Sequence, residues 1–137
     1  QQGEYQCSKE MFSKIIDKSG VEMAKVAIVE GLYADSLTPR VKRDHALKEA
    51  AIIHVDCDLY SSTKDVLRFL EDLVHPGSVI IFDDWHAFEN DGDTEDGEIL
   101  GEQKAFREWD LSHCFEELYD SISGKVFVMR RARPQAT

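Results

Sequence analysis

The sequence lacks long apolar runs and is poor in cysteine and in positive charge. No apolar run approaches the roughly 20 residues of a membrane span, and the start, QQGEYQCSKE, shows neither the basic nor the apolar region of a signal peptide. The formal net charge of −11 disfavours a nucleic acid or an anionic membrane as the partner. The three cysteines are widely spaced, with no CxxC pair, which predicts reduced thiols in a cytoplasmic protein. The length of 137 residues predicts a single domain over residues 1–137.

The central stretch of the chain is predicted to form a strand, a helix and a second strand. The apolar run at 51–55 is followed by an amphipathic segment with helical spacing and then by the apolar run Val79–Phe82. Residues 62–65 fit a capping box at the helix start, and Pro76-Gly77 is expected to stop the helix. The unbroken apolar strands indicate a buried parallel sheet. A right-handed crossover would place their carboxyl ends side by side, where such sheets bind ligands.

Both predicted strands end in acidic residues, Asp56 and Asp58 after the first and Asp83 and Asp84 after the second. Four carboxylates at one place are unfavourable unless something positive lies among them. Hard carboxylate oxygens suit Mg²⁺, so Asp56, Asp83 and Asp84 are candidate ligands of a divalent metal that takes both oxygens of a substrate. Asp58 is a candidate general base, since an extended backbone turns it to the same face as Asp56. The alternative is that these residues are caps or solvated loop charges.

Shorter elements are predicted around this central unit. We expect helices at 8–18, 41–50 and 103–111, a strand at 24–29, and a closing antiparallel strand pair at 114–119 and 126–129. The order is α-β-α-β-α-β-α-β-β, which predicts an α/β sandwich with a mostly parallel sheet. The acidic loop after Trp85 fails as a calcium-binding EF-hand, because Asp96 stands where such a loop needs glycine. A lid over the acidic residues is the favoured interpretation of that loop.

The stretch HVDCDLYSSTKDVLRFLEDLVHPGSVIIFDDW resembles the macrocin O-methyltransferase family of class I S-adenosylmethionine-dependent enzymes. That family carries D-x-D-x-Y-x-S-T, PGG-x-hh-hDDY and G-x-x-x-A-x-x-E-F motifs, which correspond here to residues 56–63, 76–85 and 101–109. Ser78 replaces the second glycine of the middle motif, and Trp85 replaces its tyrosine. The resemblance implies a Rossmann-like three-layer sandwich that uses S-adenosylmethionine and Mg²⁺, or another divalent cation, to methylate a hydroxyl of a small molecule such as a sugar or natural product.

The resemblance also implies a role for each candidate residue. It implies metal ligation by Asp56, Asp83 and Asp84, and a catalytic base at Asp58. It implies a cofactor site formed by Gly31, Leu32, Tyr33 and Asp56.

The front part of such an enzyme is missing from this sequence. Class I methyltransferases begin with a glycine-rich turn after the first strand, and this chain contains no G-x-G. The chain therefore resembles a methyltransferase without its first two β-α units. The strand edges left without partners favour a homo-oligomer, and cofactor binding by this chain alone is expected to be weak or absent.

Two other functions fit parts of the pattern. A truncated, inactive methyltransferase-like domain could keep the acidic pocket and serve as an assembly module. A haloacid-dehalogenase-type phosphatase would use IIHVDCDLY as its nucleophile strand and IIFDD as its later acidic pair. That scaffold needs a Ser or Thr, a Lys and usually a cap between the two acidic motifs, and here only one predicted helix lies between them.

Overall fold

The computed structural model of the protein describes residues 8–86 and 101–132. The chain divides into two compact units, Gln1–Glu30 and Gly31–Thr137. Within the described ranges, no helix combines the length and the apolar character that crossing a membrane requires. The acidic loop at 87–100, with its predicted lid and the EF-hand alternative, lies outside the described residues.

The described part of the first unit contains one α-helix. Helix α1 spans Lys9–Lys18, and its first turn is capped by Ser8, whose hydroxyl accepts a hydrogen bond from the Met11 N–H. This agrees with the predicted helix at 8–18. Its apolar side chains remain substantially exposed, at 59% for Met11 and 49% for Ile15.

The predicted strand at 24–29 is wrong. Met23–Lys25 forms a short 3₁₀ helix instead, and residues 26–29 have no regular structure. A strand is stabilised by hydrogen bonds to a neighbouring strand. Every strand that pairs in the described part of the chain belongs to the second unit. Apolar sequence alone was therefore not enough to make this segment a strand.

The second unit is a four-stranded sheet with helices. Its elements, in chain order, are α2 (Tyr33–Ser36), α3 (Pro39–Asp44), β1 (Ile52–Val55), α4 (Tyr60–Leu70), β2 (Val79–Phe82), α5 (Gly101–Glu108), β3 (Phe115–Asp120) and β4 (Lys125–Met129). The strand order is β1-β2-β4-β3. The predicted strand–helix–strand unit and the closing antiparallel pair are both present.

The sheet is mixed, so the prediction of a mostly parallel sheet is wrong. Among the described strands, β1 and β2 pair in parallel, whereas β4 pairs antiparallel with both β2 and β3. The hairpin of β3 and β4 lies at the end of the sheet, as expected, with β4 beside β2 and β3 at the edge. Helix α4 packs beside α2 and α5, and it contributes Leu67 and Leu70 to the core that also contains Val55 and Ile80 of the sheet.

Two helix boundaries differ from the prediction for local reasons. Helix α3 begins at Pro39 after the Thr38 cap and ends by His45, because Ala46 has a left-handed φ of 51°. Helix α4 begins at Tyr60, earlier than the expected capping box, which therefore does not form. The Thr63 hydroxyl lies inside the helix and donates to the Leu59 carbonyl at 3.0 Å.

The core lies between the sheet and helices α4 and α5. It is rich in aromatic rings, and Phe82 at the end of β2 is fully buried at its centre. Its ring centroid lies 5.1 Å from that of Trp85 and 5.3 Å from that of Phe106 on α5. Helix α5 turns Ala105 and Phe106 inward, together with Trp109 just beyond its end. This packing fixes the end of β2 against α5.

We expect Gly124→Ala to destabilise the protein by about 1–3 kcal/mol, the usual cost of overpacking. A Cβ at this position would lie 2.5 Å from the Phe82 carbonyl oxygen and 3.3 Å from the Asp83 carbonyl oxygen. Both are backbone atoms, so the hairpin turn or the end of β2 has to move. Urea unfolding measures the change, with the exposed Ser123→Ala as the neighbouring control. Equal stability of Gly124→Ala and wild type would show that the turn is not held against β2.

Candidate metal site at the strand ends

The register of the parallel strands brings the acidic residues together. Ile52 pairs with Val79 and Val55 pairs with Phe82, so both strands end at the same level. The next residues, Asp56 and Asp83, therefore leave the sheet side by side. The Asp83 N–H donates to the Val55 carbonyl at 3.0 Å, which continues the ladder one step beyond the strands.

Asp56, Asp83 and Asp84 form a cluster whose geometry suits one metal ion. Each offers a carboxylate oxygen, and these oxygens all lie within 4.8 Å of one another. Asp56 and Asp83 are exposed, while Asp84 is partly buried. A cation placed among them would keep contact with solvent, as Mg²⁺ prefers, since it dehydrates reluctantly and usually keeps several waters.

Asp58 joins this cluster, although not through the extended backbone that was expected. Its φ is 55°, in the left-handed region that is uncommon for residues other than glycine. A side-chain hydrogen bond with Asp58 raises the pKa of Asp84 to about 6, with further contributions from burial and from the charges of Asp58, Asp56 and Asp83. Strained backbone of this kind is concentrated at functional sites. The three neighbouring aspartates therefore all act on the carboxyl group of Asp84.

Glu102 is a residue of this region that the sequence interpretation missed. It is the second residue of α5, only 1% exposed, and its carboxylate accepts hydrogen bonds from two backbone amides. The Asp84 N–H donates to Oε2 at 3.1 Å, and the Cys57 N–H makes a longer bond to Oε1 at 3.5 Å. Burial raises the pKa of Glu102 to about 7, against the opposing effect of these two amides. The signal that could have found it is its position three residues before Ala105, on the inward face of the helix.

Three of the predicted cofactor residues, Gly31, Leu32 and Tyr33, lie at the start of α2, and the fourth, Asp56, belongs to the acidic cluster. Tyr33 is hydrogen-bonded to the Cys57 side chain, and its pKa is raised by burial and by the nearby Cys57, Asp56 and Asp58. Gly31 has a φ of 124°, a conformation open to glycine, whereas Leu32 is 72% exposed. The structure therefore places Tyr33 beside Asp56 and leaves the binding role of all four residues a prediction.

Cys57 lies between Asp56 and Asp58, and its thiol is largely protonated at neutral pH. Its pKa is raised to about 11, first by burial and to a smaller extent by the charges of Glu102 and Asp56. The main cause is therefore the loss of water around the thiol rather than the flanking carboxylates.

Two histidines approach the ends of the cluster. His54, on the exposed face of β1, has its Nε2 3.6 Å from Oδ1 of Asp83. His86 follows the second acidic pair, and its Nε2 lies 2.7 Å from Oδ1 of Asp120 on the hairpin. Asp120 is also paired with Lys125 at 2.9 Å. These contacts hold the segment after Asp84 against the hairpin.

The comparisons with known proteins point to one family and one fold. The sequence model of the macrocin-O-methyltransferase (TylF) family matches residues 2–94, which include Asp56, Asp58, Asp83 and Asp84 but not Glu102. The comparison with curated proteins gave no match.

Solved O-methyltransferase structures share the fold at low sequence identity. The structure of the O-methyltransferase NovP superposes with a TM-score of 0.69 at 21% identity, over 90% of this chain and 46% of that one. A crystal structure of CalS11, a calicheamicin methyltransferase, gives 0.63 at 20% identity, over 93% and 50%. The apo structure of CalS11, described as a TDP-rhamnose 3'-O-methyltransferase, gives 0.52 at 24% identity, over 73% and 40%.

The present chain thus spans about half the length of these solved enzymes. The family match covers more than half of the present chain and contains the whole carboxylate cluster. The chain belongs to the macrocin-O-methyltransferase (TylF) family.

Proposed function

We propose that this chain forms the metal- and acceptor-binding half of a cytoplasmic, S-adenosylmethionine-dependent O-methyltransferase. Its substrate would be a hydroxyl of a small molecule, such as a sugar or another natural product. The observation that carries the proposal is the cluster of Asp56, Asp83 and Asp84 at the ends of two neighbouring parallel strands. Membership of the TylF family favours this chemistry over a phosphatase.

The residues present fit a divalent cation of the Mg²⁺ class. All three candidate ligands are hard oxygen donors, and Asp56 and Asp83 are open to water. The pKa of Asp84 is raised first by its hydrogen bond with Asp58 and by burial, and further by the charges of Asp58, Asp56 and Asp83, which a cation would offset. Bound there, Mg²⁺ would supply Lewis acidity that lowers the pKa of the acceptor hydroxyl.

The chain's own residues would orient the acceptor and take its proton. Asp58 is exposed and lies within hydrogen-bonding reach of Asp84, so its carboxylate is available beside the cluster as a general base. Methyl transfer from a sulfonium to an oxygen depends chiefly on the position of the two reactants. This half of the site would therefore act chiefly by fixing the position of the acceptor hydroxyl.

The cofactor would lie toward Gly31, Leu32, Tyr33 and Asp56. Tyr33 also lines a cleft of about 420 Å³ between α2, α3 and α4, next to Arg68 and Phe69. The sequence contains no G-x-G motif of the kind that holds the rest of the cofactor in class I methyltransferases. We therefore expect this half to bind S-adenosylmethionine weakly when it is alone.

Isothermal titration with Mg²⁺ and with S-adenosylmethionine tests the proposal, combined with an assay of methyl transfer to small hydroxylated acceptors. We expect saturable Mg²⁺ binding, weak cofactor binding and Mg²⁺-dependent methylation. Absence of Mg²⁺ binding to the folded chain would contradict the metal site. Metal binding without cofactor binding or methyl transfer would support a non-catalytic domain.

A non-catalytic assembly role is the second candidate, and the free edge of β1 favours it. In the described sheet β1 pairs on one side only, and Ile52 is 74% exposed. The opposite edge strand, β3, carries Glu116, Glu117 and Asp120, charges that discourage further pairing. The β1 sequence, IIHV, has no such charges. Association of two copies would therefore use β1.

Ile52→Lys is expected to shift a wild-type dimer toward monomer, because a lysine on the edge strand opposes strand pairing. Light scattering coupled to size-exclusion chromatography measures the change. Leu118→Lys places the same charge on β3 and serves as the control, since Leu118 is also exposed, at 56%. A monomeric wild type, or equal effects of the two substitutions, would count against assembly through β1.

A further inference from the structure

Glu102 connects helix α5 to the ends of both parallel strands through a single carboxylate. One oxygen accepts from the amide of Asp84, just beyond β2, at 3.1 Å. The other accepts from the amide of Cys57, just beyond β1, at 3.5 Å. The side chain therefore contacts one candidate metal ligand through its backbone and the immediate neighbour of another, Asp56.

A role in stability alone does not explain this residue. In the described part of the chain, its hydrogen-bond partners are backbone amides, and no ion pair joins it to a lysine or arginine. Burial of a carboxylate without a cation is unfavourable, and a well-packed apolar side chain avoids that cost. Two acceptor oxygens on one rigid group do, however, fix the separation of two N–H groups. The Glu102 carboxylate therefore fixes the positions of two backbone amides, while its burial makes the folded protein less stable.

We propose that Glu102 is a positioning residue, which holds the amides of Cys57 and Asp84 at a fixed separation and so sets the spacing of the Asp56 and Asp84 carboxylates. The expected effect of Glu102 on metal binding rests on the proposed function. The hydrogen bonds by which Glu102 joins the two strand ends do not depend on that function. Glu102 itself lies behind the cluster, on the backbone side, and is not proposed as a ligand.

Mn²⁺ binding to the whole chain tests the metal-binding consequence. Mn²⁺ favours oxygen ligands like Mg²⁺ and gives an electron paramagnetic resonance spectrum that reports the symmetry of its site. Glu102→Gln keeps the size but presents an NH₂ donor to one of the two amides. We expect Mn²⁺ affinity to fall by about 10–100-fold, as for other groups that orient metal ligands, with a changed spectrum. Glu108→Gln, an exposed change on the same helix, should leave both unaltered.

Amide hydrogen exchange tests the link itself in metal-free buffer. In Glu102→Gln the amides of Cys57 and Asp84 should exchange about tenfold faster or more, as expected for a lost hydrogen bond to a charged acceptor. The Asp83 amide, which donates to the Val55 carbonyl, should be unchanged. Glu102→Asp keeps the charge but has a shorter side chain, so exchange at Cys57 and Asp84 should again be faster and exchange at Asp83 unchanged. This variant serves as the test if Glu102→Gln does not fold.

Wild-type Mn²⁺ affinity and spectrum in a folded Glu102 variant would overturn the proposal, even with faster exchange. Unchanged exchange at Cys57 and Asp84 would overturn it too. If Asp83→Asn also binds Mn²⁺ like the wild type, the proposed metal site fails. The exchange measurement then decides alone whether Glu102 ties the strand ends together.

Discussion

Asp83→Asn is expected to weaken Mg²⁺ or Mn²⁺ binding by at least about 100-fold, because it removes one of three carboxylates that can converge on one ion. The asparagine keeps the shape of the side chain and one carbonyl oxygen, but it loses the negative charge. Asp83 is exposed, so the substitution leaves the core intact. Its backbone amide still donates to Val55, and the strand ends stay aligned.

The same substitution should not destabilise the metal-free protein, because it relieves repulsion among four crowded carboxyl groups. This contrast separates a lost ligand from a damaged fold. Isothermal titration with Mn²⁺ and urea unfolding in a chelating buffer give the two quantities. Glu116→Gln removes the same charge from β3, at the opposite edge of the sheet, and should alter neither metal affinity nor the cluster. Equal metal affinity of Asp83→Asn and wild type would refute the site.

The proximity of Asp56 and Asp83 could be predicted because it depends on short-range rules. Two apolar runs with one helix between them form a parallel pair, and the residues just beyond the pair must then be neighbours. Asp58 was placed near the cluster for the wrong reason. The extended backbone that was expected is replaced by a left-handed residue, and the hydrogen bond with Asp84 still forms.

Glu102 could not be assigned in the same way, because its role depends on where α5 packs. The inward face of that helix carries the buried Ala105 and Phe106. Which backbone amides it meets depends on the aromatic contacts that hold α5 to the end of β2. A charged residue on an inward helix face is nevertheless a recognisable conflict with apolar patterning, and such conflicts often occur at functional sites.

The errors in the sheet have a common physical origin. The segment at 24–29 is apolar enough for a strand, but a strand forms only where a neighbour supplies ladder hydrogen bonds. Strand β4 was correctly paired with β3, yet its second pairing, with β2, made the sheet mixed. Pairing between distant segments depends on the whole fold, and local sequence patterns do not specify it.

The free energy of unfolding of the metal-free wild type is expected to fall between pH 5 and pH 8, partly through Glu102. The pKa of its carboxyl group is raised from an ordinary 4.5 to about 7 in the folded protein. Between these two values the folded state keeps a proton that the unfolded state has lost, so stability falls as the pH rises. The raised pKa of Asp84, about 6, acts in the same direction. For the buried Glu102 the shift corresponds to roughly 3 kcal/mol at most.

Glu102→Gln should therefore show a smaller fall in stability over the same pH range. The glutamine does not titrate, so only the contribution of Asp84 and the remaining groups persists. Urea unfolding at pH 5 and pH 8 in a chelating buffer gives the difference for each protein, and any pH-independent effect of the substitution cancels. Glu108→Gln should follow the wild type. A wild type that is more stable at pH 8 than at pH 5, or an unchanged fall in Glu102→Gln, would show that Glu102 is ionised without cost in the folded protein.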